Sequence, residues 1–123
     1  MGVSVERAWP LLQAAPSAIL GAMQWLVKRA ETPEELEGAL EVRRRVFVEE
    51  QGVPLEEELD GRDAAAVHAV ALEDGRVVGT GRLLLLGPGE AQVGRMAVLQ
   101  ERRRRGMGGR LLRLLEEEAR ARG

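Results

Sequence analysis

The stretch Arg95-Met-Ala-Val-Leu-Gln-Glu-Arg-Arg-Arg-Arg-Gly-Met-Gly-Gly-Arg-Leu-Leu112 constrains the fold most, because an apolar strand runs into a glycine turn and then into a helix start. Gly106, Gly108 and Gly109 let a backbone approach a ligand closely, and the first amides of the helix point outward without partners. The positive end of the helix macrodipole stands behind them, so a phosphate or pyrophosphate is the natural occupant. The turn is not of the Walker type, since no Gly-Lys-Ser/Thr follows, nor of the dinucleotide type, since Gly106-Met-Gly108 is not continued by x-x-Gly. The plainer alternative is a solvated basic turn at Arg102 to Arg105, with glycines that only connect a strand to a helix.

A length of 123 residues allows one domain, and the absence of cysteine removes disulfides and thiol nucleophiles and suits a reducing cytoplasm. Aromatic residues make up only 2%, so the core has to be built from Leu, Val and Ala. The net charge of −2 hides a division. Residues 31–63 carry twelve acids against four arginines, whereas residues 101–123 carry eight arginines against four glutamates. The acidic balance and the lack of base-stacking aromatics argue against nucleic acid, and the basic end suits a small polyanion.

Residues 1–22 contain Pro10, Pro16 and few charges, and form an N-terminal extension of unclear role ahead of a domain over residues 23–123. The apolar run from Ala18 to Val27 is too short to span a bilayer, so no membrane is expected as a partner. Glu6 offsets Arg7 and no clear small-x-small cleavage site follows, which speaks against a signal peptide. Alternation from Trp25 to Ala30 predicts a first strand. Thr32-Pro33-Glu34-Glu35 then supplies an N-cap, a proline at the first helical position and a capping-box glutamate. Leu36, Leu40 and Phe47, with Ala39 and Val46 beside them, predict the core face of that helix. A loop through the acidic run Glu56 to Asp60 leads to a strand over Ala65 to Glu73. Asp74-Gly75 predicts a two-residue hairpin turn into Arg76 to Leu86, Gly87-Pro88-Gly89 turns again, and Ala91 to Val98 is a fourth strand. A last helix runs from Gly108 to Ala121, with Leu111, Leu112, Leu114, Leu115 and Ala119 toward the sheet.

The pattern Arg103-x-x-Gly106-x-Gly108, together with Val42-Arg-Arg-Arg-Val-Phe-Val-Glu-Glu-Gln51, Asp60, His68, Gly79-Thr-Gly-Arg82 and Gly94-Arg95-Met-Ala-Val98, resembles the GNAT superfamily of N-acetyltransferases, in its ElaA/YjcF-like branch. The resemblance implies an α/β (α+β) acyl-CoA N-acyltransferase fold, a mixed and mostly antiparallel sheet flanked by helices. It covers the N-terminal two thirds of that fold, so the C-terminal third is expected to be missing. It also implies acetyl-CoA as co-substrate, with the backbone of Met96, Ala97 and Val98 holding the pantetheine arm. The turn Arg103, Arg104, Arg105, Gly106, Met107, Gly108 and Gly109 would hold the pyrophosphate.

Acyl transfer to an amine needs a base for the ammonium proton and a donor to the thioester oxygen. Glu50 and His68 are the catalytic candidates, and Gln51, Arg82 and Arg95 the candidates for acceptor binding. A lone strand histidine is more often a structural hydrogen-bonding residue, and Arg82 and Arg95 equally suit ion pairs to Asp60, Asp63 or Glu50. A single histidine without cysteine makes a metal site unexpected. The expected acceptor is a small-molecule amine or a peptide. The strand edge left at Met96 to Leu99 is expected to be covered, by a second copy in a homodimer or by the segment before Met23 folding back, and the alternative to an enzyme is a non-catalytic CoA-binding or oligomerisation protein of the same fold.

Overall fold

The computed structural model describes residues 25–122. The extension expected over residues 1–22 lies outside the described residues. The first strand, β1, spans Trp25–Arg29 and enters helix α1, Pro33–Arg43, through the cap that its sequence spells out. Thr32 Oγ1 accepts the Glu35 amide at 3.1 Å, and Glu35 Oε1 accepts the Thr32 amide at 3.1 Å and the Glu31 amide at 2.8 Å. Lys28 Nζ donates to the second Glu35 oxygen at 2.8 Å, which ties β1 to the same cap. Beyond Arg43 the helix continues as wider π-type turns over Arg44–Glu50, where the Gln51 amide reaches back five residues to Val46 O at 3.2 Å.

The acidic run, expected as loop, instead contains a helical turn, α2, at Leu55–Glu58, and a 3-10 turn follows at Asp63–Ala65. Strands β2 (Val67–Glu73), β3 (Arg76–Gly87) and β4 (Glu90–Val98) come next. Asp74 and Gly75, with φ of 51° and 79°, make the left-handed pair that a tight hairpin needs. A 3-10 turn at Gln100–Arg102 leads through the glycine turn to helix α3, Met107–Ala121.

The described residues form one sheet in the order β1-β2-β3-β4, antiparallel throughout. Its two faces follow from the register. Ala71 pairs with Gly79 and Leu72 with Val77, so Gly79 and Val77 face opposite ways across a bulge. A Cβ on Gly79 would lie 3.2 Å from Leu111 of α3, whereas a Cβ on Gly38 of α1 would lie 2.6 Å from Val77. Helix α3 therefore covers one face and α1 the other, and only a glycine at position 38 permits the approach. Covering both faces explains why Val67 to Ala71 and Val78 to Leu84 are buried without alternation.

Two details differ from the sequence pattern. On α1 the fully buried stripe is Ala39, Val42, Arg43 and Val46, with Leu36, Leu40 and Phe47 half-buried at its margins. On α3, Met107, Leu111 and Leu115 form the buried stripe, and Leu112 is 41% exposed. At about 100° per residue Leu112 is turned away from a face centred on Leu111, so the apolar stripe is narrower than the leucine content suggests.

Candidate active site

The segment between α1 and β2 is held over the α1 face of the sheet by three arginines and three carboxylates. Arg43, fully buried, donates from Nε to Glu58 Oε1 at 2.6 Å and from Nη1 to Asp63 Oδ1 at 2.6 Å. Arg82, which is 4% exposed, makes a two-pronged pair with Asp60 at 2.9 Å on each oxygen and also reaches Asp63 at 3.1 Å. Arg95 Nε lies 3.3 Å from Glu58 Oε1, and its Nη2 donates to the carbonyls of Glu57 and Glu58 at 3.3 Å each. Of the partners weighed for Arg82 and Arg95, Asp60 and Asp63 are in place on Arg82, whereas Glu50 pairs with Arg103 instead, and any acceptor carboxylate has to share the Arg82 guanidinium with the two aspartates. Arg95 is the more open of the two, half-buried at the rim. Sequence reasoning missed Arg43 and Glu58. Their one signal was an arginine standing in the apolar stripe of α1, where a charge requires a partner.

His68 sits opposite Arg82 in the register, buried, with Nε2 2.9 Å from the Asp63 carbonyl. A carbonyl only accepts, so Nε2 carries a proton, and the buried Nδ1 has no partner among the described residues. The ring also borders a cavity of about 790 Å³, which opens between the end of β1, the start of α1 and Arg122. That cavity lies at the opposite end of β2 from Glu73, whereas Glu73 touches the glycine turn: it accepts from Arg102 Nε at 2.7 Å and faces Arg105 Nη1 at 3.5 Å.

The hydrogen bonds of this clasp set two acidities. Hydrogen bonds from Arg82 hold the Asp60 carboxyl well below the usual carboxylate range. Burial pushes Asp63 up, but hydrogen bonds and charge from Arg43 and Arg82 outweigh it and hold that carboxyl low as well. Both groups bind protons more tightly in the unfolded chain, near the ordinary value of about 4, so their contribution to stability is complete above that pH and is lost as pH falls toward the folded values. Thermal melts are expected to vary little on account of these groups between pH 7 and 5, and to drop below about pH 4. Asp63→Asn should start from a lower melting temperature and show a flatter acid branch, and an acid branch as steep as that of the wild type would contradict this assignment.

The cofactor candidates gather where β4 meets α3. A cleft of about 310 Å³ is lined by Met96, Ala97, Val98, Arg102, Arg103, Arg104, Gly106, Met107 and Gly108. Arg105 and Gly109 stand outside that lining, and Arg102 joins it. Gly106 takes φ of 84° as the residue before α3, a left-handed conformation that suits glycine, and among the described residues no side chain caps the helix. The first intrahelical bond is from the Arg110 amide to Gly106 O at 3.2 Å, so the helix itself leaves the amides of Met107, Gly108 and Gly109 unpaired. The Met107 side chain is core, 1% exposed, and only its backbone can serve a ligand.

Just before the cleft, β4 carries a bulge. Thr80 pairs with Ala97 but Arg82 pairs with Gly94, so Arg95 and Met96 together oppose Gly81. Arg95 adopts φ of 51° there. Bulges of this kind bend a strand and re-aim its side chains, often beside active sites. Across the cleft, the π turn of α1 ends at Glu50, whose two oxygens accept Arg103 Nη2 at 2.9 Å each, while Arg103 Nε donates to Val98 O at 2.8 Å. Gln51, next in the chain, is exposed. Glu50 thus touches a residue of the cleft, Arg103, while Glu50, Gln51 and His68 are all absent from the lining itself.

Among the described residues no helix is long and apolar enough to cross a membrane. Over 90 residues the chain is 38% identical to the uncharacterized N-acetyltransferase YjcF of Bacillus subtilis (strain 168), covering 73% of this chain and 64% of that protein. Its structure is similar to that of an acyl-CoA N-acyltransferase from Pseudomonas aeruginosa, with a TM-score of 0.65 and 32% identity over 77% of this chain and 68% of that one. It is also similar to a GNAT family acetyltransferase from Brucella melitensis in complex with acetyl-CoA, with a TM-score of 0.59 and 28% identity over 80% and 70% of the two chains. Residues 22–123 match the acetyltransferase (GNAT) family, and on that match and these likenesses the chain belongs to this family.

Proposed function

We propose that the cleft between β4 and α3 binds acetyl-CoA and that the chain transfers its acetyl group to an amine. The observation that carries this reading is the convergence on one cleft of a left-handed glycine, the first turn of α3, whose opening amides have no intrahelical partner, and the end of a bulged strand. In it, the amides of Met107, Gly108 and Gly109 and the neighbouring arginines take the pyrophosphate. The backbone of Met96, Ala97 and Val98 runs alongside the pantetheine arm like a neighbouring strand. The Brucella melitensis protein, solved with acetyl-CoA, supports the choice of donor.

Attack by the amine on the thioester carbonyl forms a carbon–nitrogen bond, and collapse of the tetrahedral adduct breaks the carbon–sulfur bond and releases the thiolate. The ammonium proton has to leave first, and Glu50, exposed and joined to the cleft through Arg103, is our candidate to accept it. His68 stays in the proposal as a second candidate base, although its enclosure and its bond to Asp63 favour a structural part. Gln51 and Arg95 form the open side toward the acceptor, with Arg82 behind them bracing Asp60.

Because the chain spans 64% of YjcF, cofactor binding and turnover are tested separately. Calorimetric titration with coenzyme A should give saturable binding, and thiol release from acetyl-CoA with a panel of primary amines should identify acceptors. Absence of coenzyme A binding would refute the reading, whereas binding without turnover on any amine would assign the chain to cofactor binding alone. A homodimer across the outer edge of β4 would compete with the pantetheine arm for the same strand edge, and light scattering would show it as a doubled mass that coenzyme A lowers.

A further inference from the structure

Arg103 lines the cleft, and its guanidinium is held at Val98 O through Nε and at both Glu50 oxygens through Nη2. We propose that this contact is a latch: a donor's pyrophosphate opens it by taking Arg103, so the Glu50 carboxylate is released to the acceptor amine only once a donor is seated. The inference rests on the cofactor reading above and adds to it a coupling between the two halves of the site.

Three features support the latch. Arg103 gives Glu50 one nitrogen, Nη2, and Val98 O another, Nε, and these two form the edge that a guanidinium would offer a phosphate, so it cannot satisfy all of them fully at once. The side chains of Arg103 and Glu50 are 39% and 32% exposed, so their attraction is screened by water and a multiply charged pyrophosphate can displace the single carboxylate. Its neighbours are arranged differently. Arg102 and Arg105 are engaged by Glu73, which is only 11% exposed, and Arg104 has no carboxylate partner among the described residues. Of the four turn arginines, Arg103 alone touches both Glu50 and the β4 backbone.

The latch also acts on donor choice. Val98 O is the last β4 carbonyl, and Arg103 Nε occupies it at 2.8 Å. A donor with a pyrophosphate draws Arg103 away and exposes that carbonyl, whereas a pantetheine thioester without the pyrophosphate has to break the same contacts with nothing to offer Arg103 in return.

Calorimetry with coenzyme A on the whole chain tests this in a double-mutant cycle. Glu50→Gln should bind coenzyme A about threefold more tightly than the wild type, the size expected for removing an exposed competing ion pair. Arg103→Gln should bind more weakly, and in the Arg103→Gln background Glu50→Gln should change nothing. Equal affinity of the wild type and Glu50→Gln would overturn the latch and leave the cofactor reading standing. A gain that persists without Arg103 would also overturn it, by reducing the effect to overall charge. No binding by the wild type would remove the cofactor reading and the latch together. Circular dichroism on each variant confirms that these two exposed substitutions leave the fold intact.

Discussion

Gly108→Val is expected to abolish calorimetric binding of coenzyme A while leaving the circular dichroism spectrum and the melting temperature nearly unchanged. Position 108 lies in the first turn of α3, and a Cβ built there meets nothing within 4 Å. Its φ lies outside the left-handed range, so valine introduces no backbone strain, and the change in stability should stay within about 0.5 kcal/mol. The branched side chain would instead fill the approach to the amides of Met107 to Gly109, where the proposed phosphate sits. Loss of the close approach should weaken binding at least tenfold, or about 1.4 kcal/mol. Unchanged affinity would mean that coenzyme A does not reach the helix amides, and would move the cofactor elsewhere.

Arg43→Ala is expected to have the largest effect on stability. The arginine is fully buried and Glu58, its partner at 2.6 Å, is 2% exposed, so truncating one leaves a carboxylate without its main counter-ion in the interior. Breaking such a pair costs about 3–5 kcal/mol, a large part of the roughly 5–15 kcal/mol that stabilises an ordinary domain. The paired replacement of Arg43 by Met and Glu58 by Leu should recover more than half of the loss, because no buried charge then remains at Glu58 and the volume is kept. Urea unfolding of the two variants decides the matter. A single mutant that loses less than about 1 kcal/mol would show that water reaches Glu58 and that the clasp is looser than its distances imply.

Most of the fold was legible wherever local chemistry decides it. The cap at Thr32, the Asp74-Gly75 hairpin and the glycine turn each depend on neighbours a few residues apart, and each occurs where the letters put it. The clasp was not legible in the same way. Arg43 and Glu58 are fifteen residues apart and meet only because α2 folds the acidic run back onto α1, and nothing in a row of glutamates tells which one turns inward. Glu50 and Arg103 are fifty-three residues apart, and their contact depends on how α1 and the β4–α3 turn lie across the same sheet. The sequence could name both residues for the site, but not that each would be the other's partner.

The bulge at Arg95 also bears on how β4 can change over generations. A regular strand that loses one residue can slide along its neighbour, at the cost of turning its side chains over. In β4 the extra residue already sets the phase: it keeps Ala97 opposite Thr80 and Gly94 opposite Arg82 on the two sides of a two-against-one step. Deleting Arg95 would close that step into a regular ladder, with Met96 opposite Gly81 and both halves of β4 still on their partners, so the strand would lose its bend and keep its register; a deletion elsewhere in β4 would shift the residues beyond it. Changes of length in β4 should therefore be confined to the bulge and to the Gly87–Gly89 turn, and the rest of the strand should vary only as exchanged side chains.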